Sequence, residues 1–99
     1  MENKQLKNYE TVIIISGSYS QEEYKKALDK IKDYMKDLIT IEEVEELGLK
    51  KLAYDVKKQK TGYYIIVGFK SVFENIKELE RLYRIDDNVL KFIIVKKDD

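Results

Sequence analysis

A two-layer α+β sandwich in the order β-α-β-β-α-β is the fold class this 99-residue chain predicts, and three observations predict it. Four runs rich in Val, Ile, Tyr and Phe have strand length. Two segments between them carry apolar residues at steps of three and four, each behind a Ser-x-x-Glu sequence. No linker, internal repeat or low-complexity segment interrupts the series.

The first strand is Tyr9 to Ile15, closed by Ser16-Gly17-Ser18. Ser20 with Glu23 fits a capping box, so a helix should begin at Gln21. Its buried stripe is Tyr24, Ala27, Leu28, Ile31, Tyr34, Met35 and Leu38, and the acids and lysines between them face water. A second strand begins near Ile39 and runs past Gly48 towards Val56, with a bulge or bend at the glycine. Lys57 to Thr61 form a polar hairpin tip. Tyr63 to Phe69 is nearly continuous apolar sequence and should lie centrally in the sheet. Ser71 and Glu74 repeat the capping-box spacing before a helix with Val72, Ile76, Leu79 and Tyr83 on one face. Leu90 to Val95 is the last strand, and Lys96 to Asp99 a charged tail. With right-handed crossovers this order gives the ferredoxin-like sandwich, two helices on one face of a four-stranded antiparallel sheet. One domain, residues 1–99, is expected at this length.

Composition excludes more than it assigns. No uncharged stretch approaches the ~20 residues of a membrane span. The opening Met1 to Lys7 is charged and lacks the apolar core of a secretory signal, so a cytoplasmic location is expected. Without Cys there is no disulfide framework or thiolate chemistry, and without His the commonest general base and metal ligand is missing. Glu42, Glu43, Glu45 and Glu46 cluster, but strand alternation splits them between two faces, which reads as a solvated edge. Oxygen-only metal sites need carboxylates converging from loops, and phosphate cradles need Gly-rich turns; neither spacing occurs. No enzyme activity, cofactor or small-molecule substrate is expected. Charge is balanced, 19 basic against 19 acidic residues, which argues against a stand-alone, non-specific nucleic-acid binder. It leaves room for a shape-specific binder with one basic face.

The strand order is also that of the RNA-recognition motif, which stacks bases on sheet aromatics. Here Val12-Ile13-Ile14-Ile15 has no aromatic, and one face of the third strand offers only Tyr64 before Ile66 and Gly68. A base-stacking sheet is not expected. Alternation instead points Thr11, Ile13, Ile15, Ile65, Val67, Phe69, Phe92 and Ile94 at the helices. Val12, Ile14, Tyr64, Ile66 and Ile93, with Val95, then form an apolar patch on the open face, as a protein interface would.

The basic residues come in pairs, Lys50-Lys51, Lys57-Lys58 with Lys60, and Lys96-Lys97, most of them at the hairpin. The run Glu45-Glu46-Leu47-Gly48-Leu49-Lys50-Lys51-Leu52-Ala53-Tyr54-Asp55-Val56 has an order that no secondary-structure pattern requires. Together with Thr61-Gly62-Tyr63-Tyr64 and Arg84-Ile85-Asp86-Asp87-Asn88-Val89-Leu90-Lys91, it resembles the bacterial small-subunit ribosomal protein S-six family. The resemblance runs from about Tyr9 to Lys96. It departs at Leu47, where the family usually has Trp, at Asp55, where it has Pro, and at Asp86, basic in some members. It implies a ribosome-associated structural protein that binds the central domain of 16S ribosomal RNA together with the ribosomal protein S-eighteen. It also implies RNA contacts from Lys50 and Lys51, the pair after Gly-Leu, from Arg84 and from Lys91; Lys57 and Lys58 at the hairpin join them as candidates. The open face, Val12, Ile14, Tyr64, Ile66 and Ile93, would receive the protein partner. A different class is the alternative: a homo-oligomeric ferredoxin-like regulatory module binding a small ligand between sheets.

Overall fold

Ser20 and Glu23 form the box their spacing predicts. Ser20 Oγ accepts from the Glu23 amide at 3.1 Å, and Glu23 Oε1 accepts from the Ser20 amide at 2.8 Å. In the computed structural model, which describes residues 5–97, helix α1 (Gln21–Leu38) starts there. Met1 to Lys4 of the charged opening, and Asp98 and Asp99 of the tail, lie outside the described residues. The chain continues through β2 (Thr40–Val56), β3 (Gln59–Ser71), α2 (Phe73–Ile85) and β4 (Val89–Lys96), with β1 (Lys7–Ser16) before α1.

The second expected capping box does not form. Val72 is the N-cap of α2 and no side chain caps it. Ser71 still belongs to β3, is buried, and donates its hydroxyl hydrogen bond to the Val72 carbonyl instead. The start of α2 is held from elsewhere: Asn75 Nδ2 donates to the Leu38 carbonyl at 2.7 Å, tying it to the end of α1.

All strand pairs are antiparallel, in the order β2-β3-β1-β4, and this is the ferredoxin-like sandwich. Ile13, Ile15, Ile65, Val67 and Phe69 lie on the helix side with Ile31, Met35, Leu79 and Tyr83, and all are essentially inaccessible. Phe92 and Ile94 pack against this core half-buried. Thr11 can be buried among them because its hydroxyl donates to the Ile93 carbonyl at 2.9 Å.

Strands β1, β3 and β4 are longer than the sequence reading and β2 spans nearly the range expected; the irregularities of β2 and β4 decide which face their residues meet. In β2 the register shifts three times. Glu42 and Leu47 are each one residue too many, and each shift reverses the in-out alternation. Gly48, at φ +84°, supplies the left-handed conformation the second bulge needs. The third shift is large: five steps along β2, Lys51 to Val56, match two along β3, Thr61 to Gln59. In β4 the pairing passes from Ile14↔Lys91 to Ile15↔Val89, so Leu90 is extra and lies on the open face beside Lys91.

These bulges close part of the face that alternation leaves open. The end of the β2–β3 hairpin folds over it, and Leu52 packs with Ile14 and Leu90 in a small second cluster flanked by Val56 and Tyr64. Ile14, expected to be exposed, is therefore buried at 7% accessibility. Gly62 is needed for this approach. A Cβ there would stand 2.4 Å from Ile14 Cγ2.

Candidate functional site

The β2–β3 hairpin arm joins the two longest strands, 17 and 13 residues, in a molecule 48 Å long against 24 and 22 Å in the other directions. Its tip is a two-residue turn, tighter than the five-residue tip expected, formed by Lys57 (φ 49°) and Lys58 (φ 66°). Positive φ at both central residues is the arrangement that matches strand twist and that Asn-Gly adopts most easily. Two side-chain-bearing lysines hold it here, at a cost of about 1–2 kcal/mol each.

Lys50 and Lys51 stand opposite Gly62 and Thr61 at the base of this arm. Both are exposed, as are Lys57, Lys58 and Lys60. Lys91 reaches the arm from β4, two strands away, with Nζ 2.5 Å from the Tyr54 hydroxyl. Arg84 is separate. It ends α2 on the helix side of β4, its guanidinium 5.8 Å from the Phe92 ring, whereas Lys91 lies on the opposite face. Among the described residues Lys26, Lys70, Arg81 and Lys97 each pair with a glutamate; these seven cations do not, and neither do the remaining lysines. The structure thus brings five expected cations, Lys50, Lys51, Lys57, Lys58 and Lys91, to one arm and leaves Arg84 around a corner.

The other half of the open face is apolar with an acidic border. One row across the sheet reads Glu45, Ile66, Val12, Ile93, and the next Glu43, Gly68, Glu10, Val95. Ile93 and Val95 are about half accessible, at 51% and 47%, and Val12 and Ile66 are partly covered by their neighbours. Of the five residues expected on this patch, Ile14 is covered by the arm and Tyr64 packs against the small cluster. The acids divide as alternation requires. Glu46, on the helix side, accepts the Tyr24 hydroxyl at 2.7 Å, and burial together with that carboxylate pushes the Tyr24 phenol up. Asp86 is buried and accepts from Tyr34 at 3.0 Å and from the Asn88 amide at 2.9 Å. It fixes the turn into β4 and offers nothing to a ligand.

Tyr54 is the residue that sequence reasoning passed over. It lies in the segment that gave the resemblance, but its place beside Lys91 depends on a bulge that no local pattern signals.

The model of the family described as ribosomal protein S6 matches residues 8–96. The chain belongs to the ribosomal protein S6 family. The small ribosomal subunit protein bS6 of Clostridium novyi is 39% identical over 94 residues, covering 94% of this chain and 99% of that relative. The bS6 of Helicobacter acinonychis is 40% identical over 98 residues, and there the match covers 94% of this chain but 66% of the relative. The crystal structure of 30S ribosomal protein S6 from Thermotoga maritima superposes with a TM-score of 0.86 at 26% identity, covering 94% of this chain and 89% of that one. Bacterial S6 proteins are structural ribosomal proteins, so this chain is not an enzyme. No helix among the described residues is long and apolar enough to cross a membrane.

Proposed function

We propose that this S6-family chain is a cytoplasmic, structural component of the small ribosomal subunit that binds the central domain of 16S ribosomal RNA together with S-eighteen. The observation that carries the RNA part is the gathering of Lys50, Lys51, Lys57, Lys58 and Lys91 on one arm, with Arg84 beside β4. Cations gathered on one projecting element can neutralise several phosphates of one backbone, which lysines scattered over a surface do not. The strained Lys57-Lys58 turn supports the same reading, because it keeps two charges at the tip where an uncharged Asn-Gly would be more stable. The bordered patch of Val12, Ile66, Ile93 and Val95 is where S-eighteen would seat. Its apolar centre supplies area, and Glu10, Glu43 and Glu45 favour a basic partner.

The test is binding to a 16S central-domain fragment over a series of salt concentrations, with and without S-eighteen. The chain alone should bind weakly and gain strongly from the partner. Lys50→Ala with Lys51→Ala should weaken binding and flatten the salt dependence by roughly two units of slope at most. Ile93→Asp should leave the domain folded and impair pairing with S-eighteen. Tight binding without the partner, or an unchanged slope in the lysine double variant, would refute the corresponding half.

A further inference from the structure

Resting on that RNA reading, we infer that Tyr54 is a stacking platform for an unpaired nucleobase, which makes the arm a reader of single-stranded junction nucleotides as well as of phosphates. Tyr54 is 63% exposed, yet it is not a loose side chain. Lys91 Nζ hydrogen-bonds its hydroxyl and stands 4.8 Å from the ring centroid, so the ammonium meets the hydroxyl end of the phenol and leaves ring surface open. Nor does the ring close the small cluster beneath the arm. That cluster is made by Ile14, Leu52 and Leu90, flanked by Val56 and Tyr64. The bulge from Leu52 to Asp55 lifts Tyr54 out of the regular pleat while Leu52 anchors the same segment. The result is an accessible aromatic surface, fixed at its hydroxyl end by Lys91, on the same hairpin that carries the exposed Lys50, Lys51, Lys57 and Lys58. An exposed aromatic ring on a basic surface is the combination that holds single-stranded nucleic acid. The charges track the backbone, and every base has a face to stack. The sheet itself offers no such platform, because Tyr64 is packed against the small cluster.

The experiment uses the full chain with a 16S central-domain fragment containing an unpaired junction, and a fully paired RNA hairpin as control. Tyr54→Ala should weaken junction binding about fivefold to a hundredfold, with the salt slope unchanged because no phosphate contact is lost. Tyr54→Phe, which keeps the ring, should stay within about threefold of the parent. The chain contains no Trp, so Tyr54→Trp gives a single fluorescent reporter. Its emission should be quenched by the junction RNA and not by the paired hairpin. If Tyr54→Ala binds like the parent while Lys50→Ala with Lys51→Ala weakens binding, stacking is wrong and the phosphate reading survives. Parent protein that binds neither RNA, with or without S-eighteen, overturns both. Loss of pairing with S-eighteen in Tyr54→Ala, with RNA affinity of the free chain intact, would show that a protein covers this ring and would also overturn the inference.

Discussion

Truncating Ile14 or Leu52 tests whether the hairpin arm is docked on the sheet, on which the shape of both proposed surfaces depends. Ile14 is 7% accessible and Leu52 9%, and with Leu90 they make up the buried part of the small cluster. Removing a buried aliphatic side chain down to Ala costs about 2–5 kcal/mol, more where the walls cannot relax. Leu52 lies in the bulged segment and its surroundings can close, so Leu52→Ala should fall near 2 kcal/mol. Ile14 is on β1 between β3 and β4, where neither neighbour can move in, so Ile14→Ala should be nearer 3 kcal/mol. Because the two share one cluster, the double variant should lose less than the sum, by about 0.5–1 kcal/mol. Urea unfolding followed by far-ultraviolet circular dichroism would show midpoints lower by roughly 1–2 M at an unchanged m-value. Hydrogen exchange separates the cause: in Leu52→Ala, amides of residues 52–60 should lose protection while those of β1 keep theirs. Losses below about 0.5 kcal/mol in both single variants, or strict additivity, would mean that the arm does not pack on Ile14 and that the open face is free, as alternation alone implies.

Three further outcomes are expected. Replacing the turn by Lys57→Asn with Lys58→Gly should raise unfolding stability by about 1 kcal/mol and at the same time weaken RNA binding, a divergence that thermal melts and binding titrations would show. Gly62→Ala should destabilise more than Gly48→Ala by chemical denaturation; the first forces a Cβ to within 2.4 Å of Ile14, whereas the second meets nothing and carries only the roughly 1 kcal/mol of its positive φ. Alkaline titration should unfold the domain from about pH 10 upward. Burial holds the Tyr83 and Tyr24 phenols well above their ordinary value, so the unfolded chain loses protons there that the folded one keeps. Stability is intact below pH 10 and falls by about 1.4 kcal/mol per pH unit for each such tyrosine. Tyr34, raised by burial and by Asp86, acts in the same direction.

What the sequence reveals here is set by how local its cause is. The Ser20 box, the stripe of α1 and the glycine bulge at Gly48 rest on interactions within a few residues, and all three appear. The Ser71 box has the same spacing but fails, because pairing with Lys7 of β1 keeps Ser71 in β3, so the helix starts later. Alternation placed Ile13, Ile65 and Val67 correctly, since β1 and β3 pair without a register shift. It misplaced Ile14 for a reason outside β1: the residues that cover it, Leu52 and Leu90, stand at bulges of β2 and β4. The basic arm was readable as a cluster of lysines. Its docking, the strained turn and the Lys91–Tyr54 contact across the sheet depend on those bulges and were not.

Net charge is the poorest guide of all to this molecule. Within β2, Glu42, Glu43, Glu45 and Glu46 precede Gly48, while Lys50 and Lys51 follow it, with Asp55 beyond them. Glu45 and Lys50, five residues apart on a bulged strand, are separated by roughly 15 Å. That exceeds the screening length of about 8 Å at physiological salt, so neither field cancels the other at its own end. An approaching phosphate at the arm therefore meets a mainly basic surface, with Asp55 its one acid, and a basic protein at the Ile93 patch meets an acidic border. The zero sum, which argued against non-specific nucleic-acid binding, hides an acidic and a basic surface at the two ends of one edge strand. Separated in this way, they let RNA and a protein partner bind together without competing for the same charges.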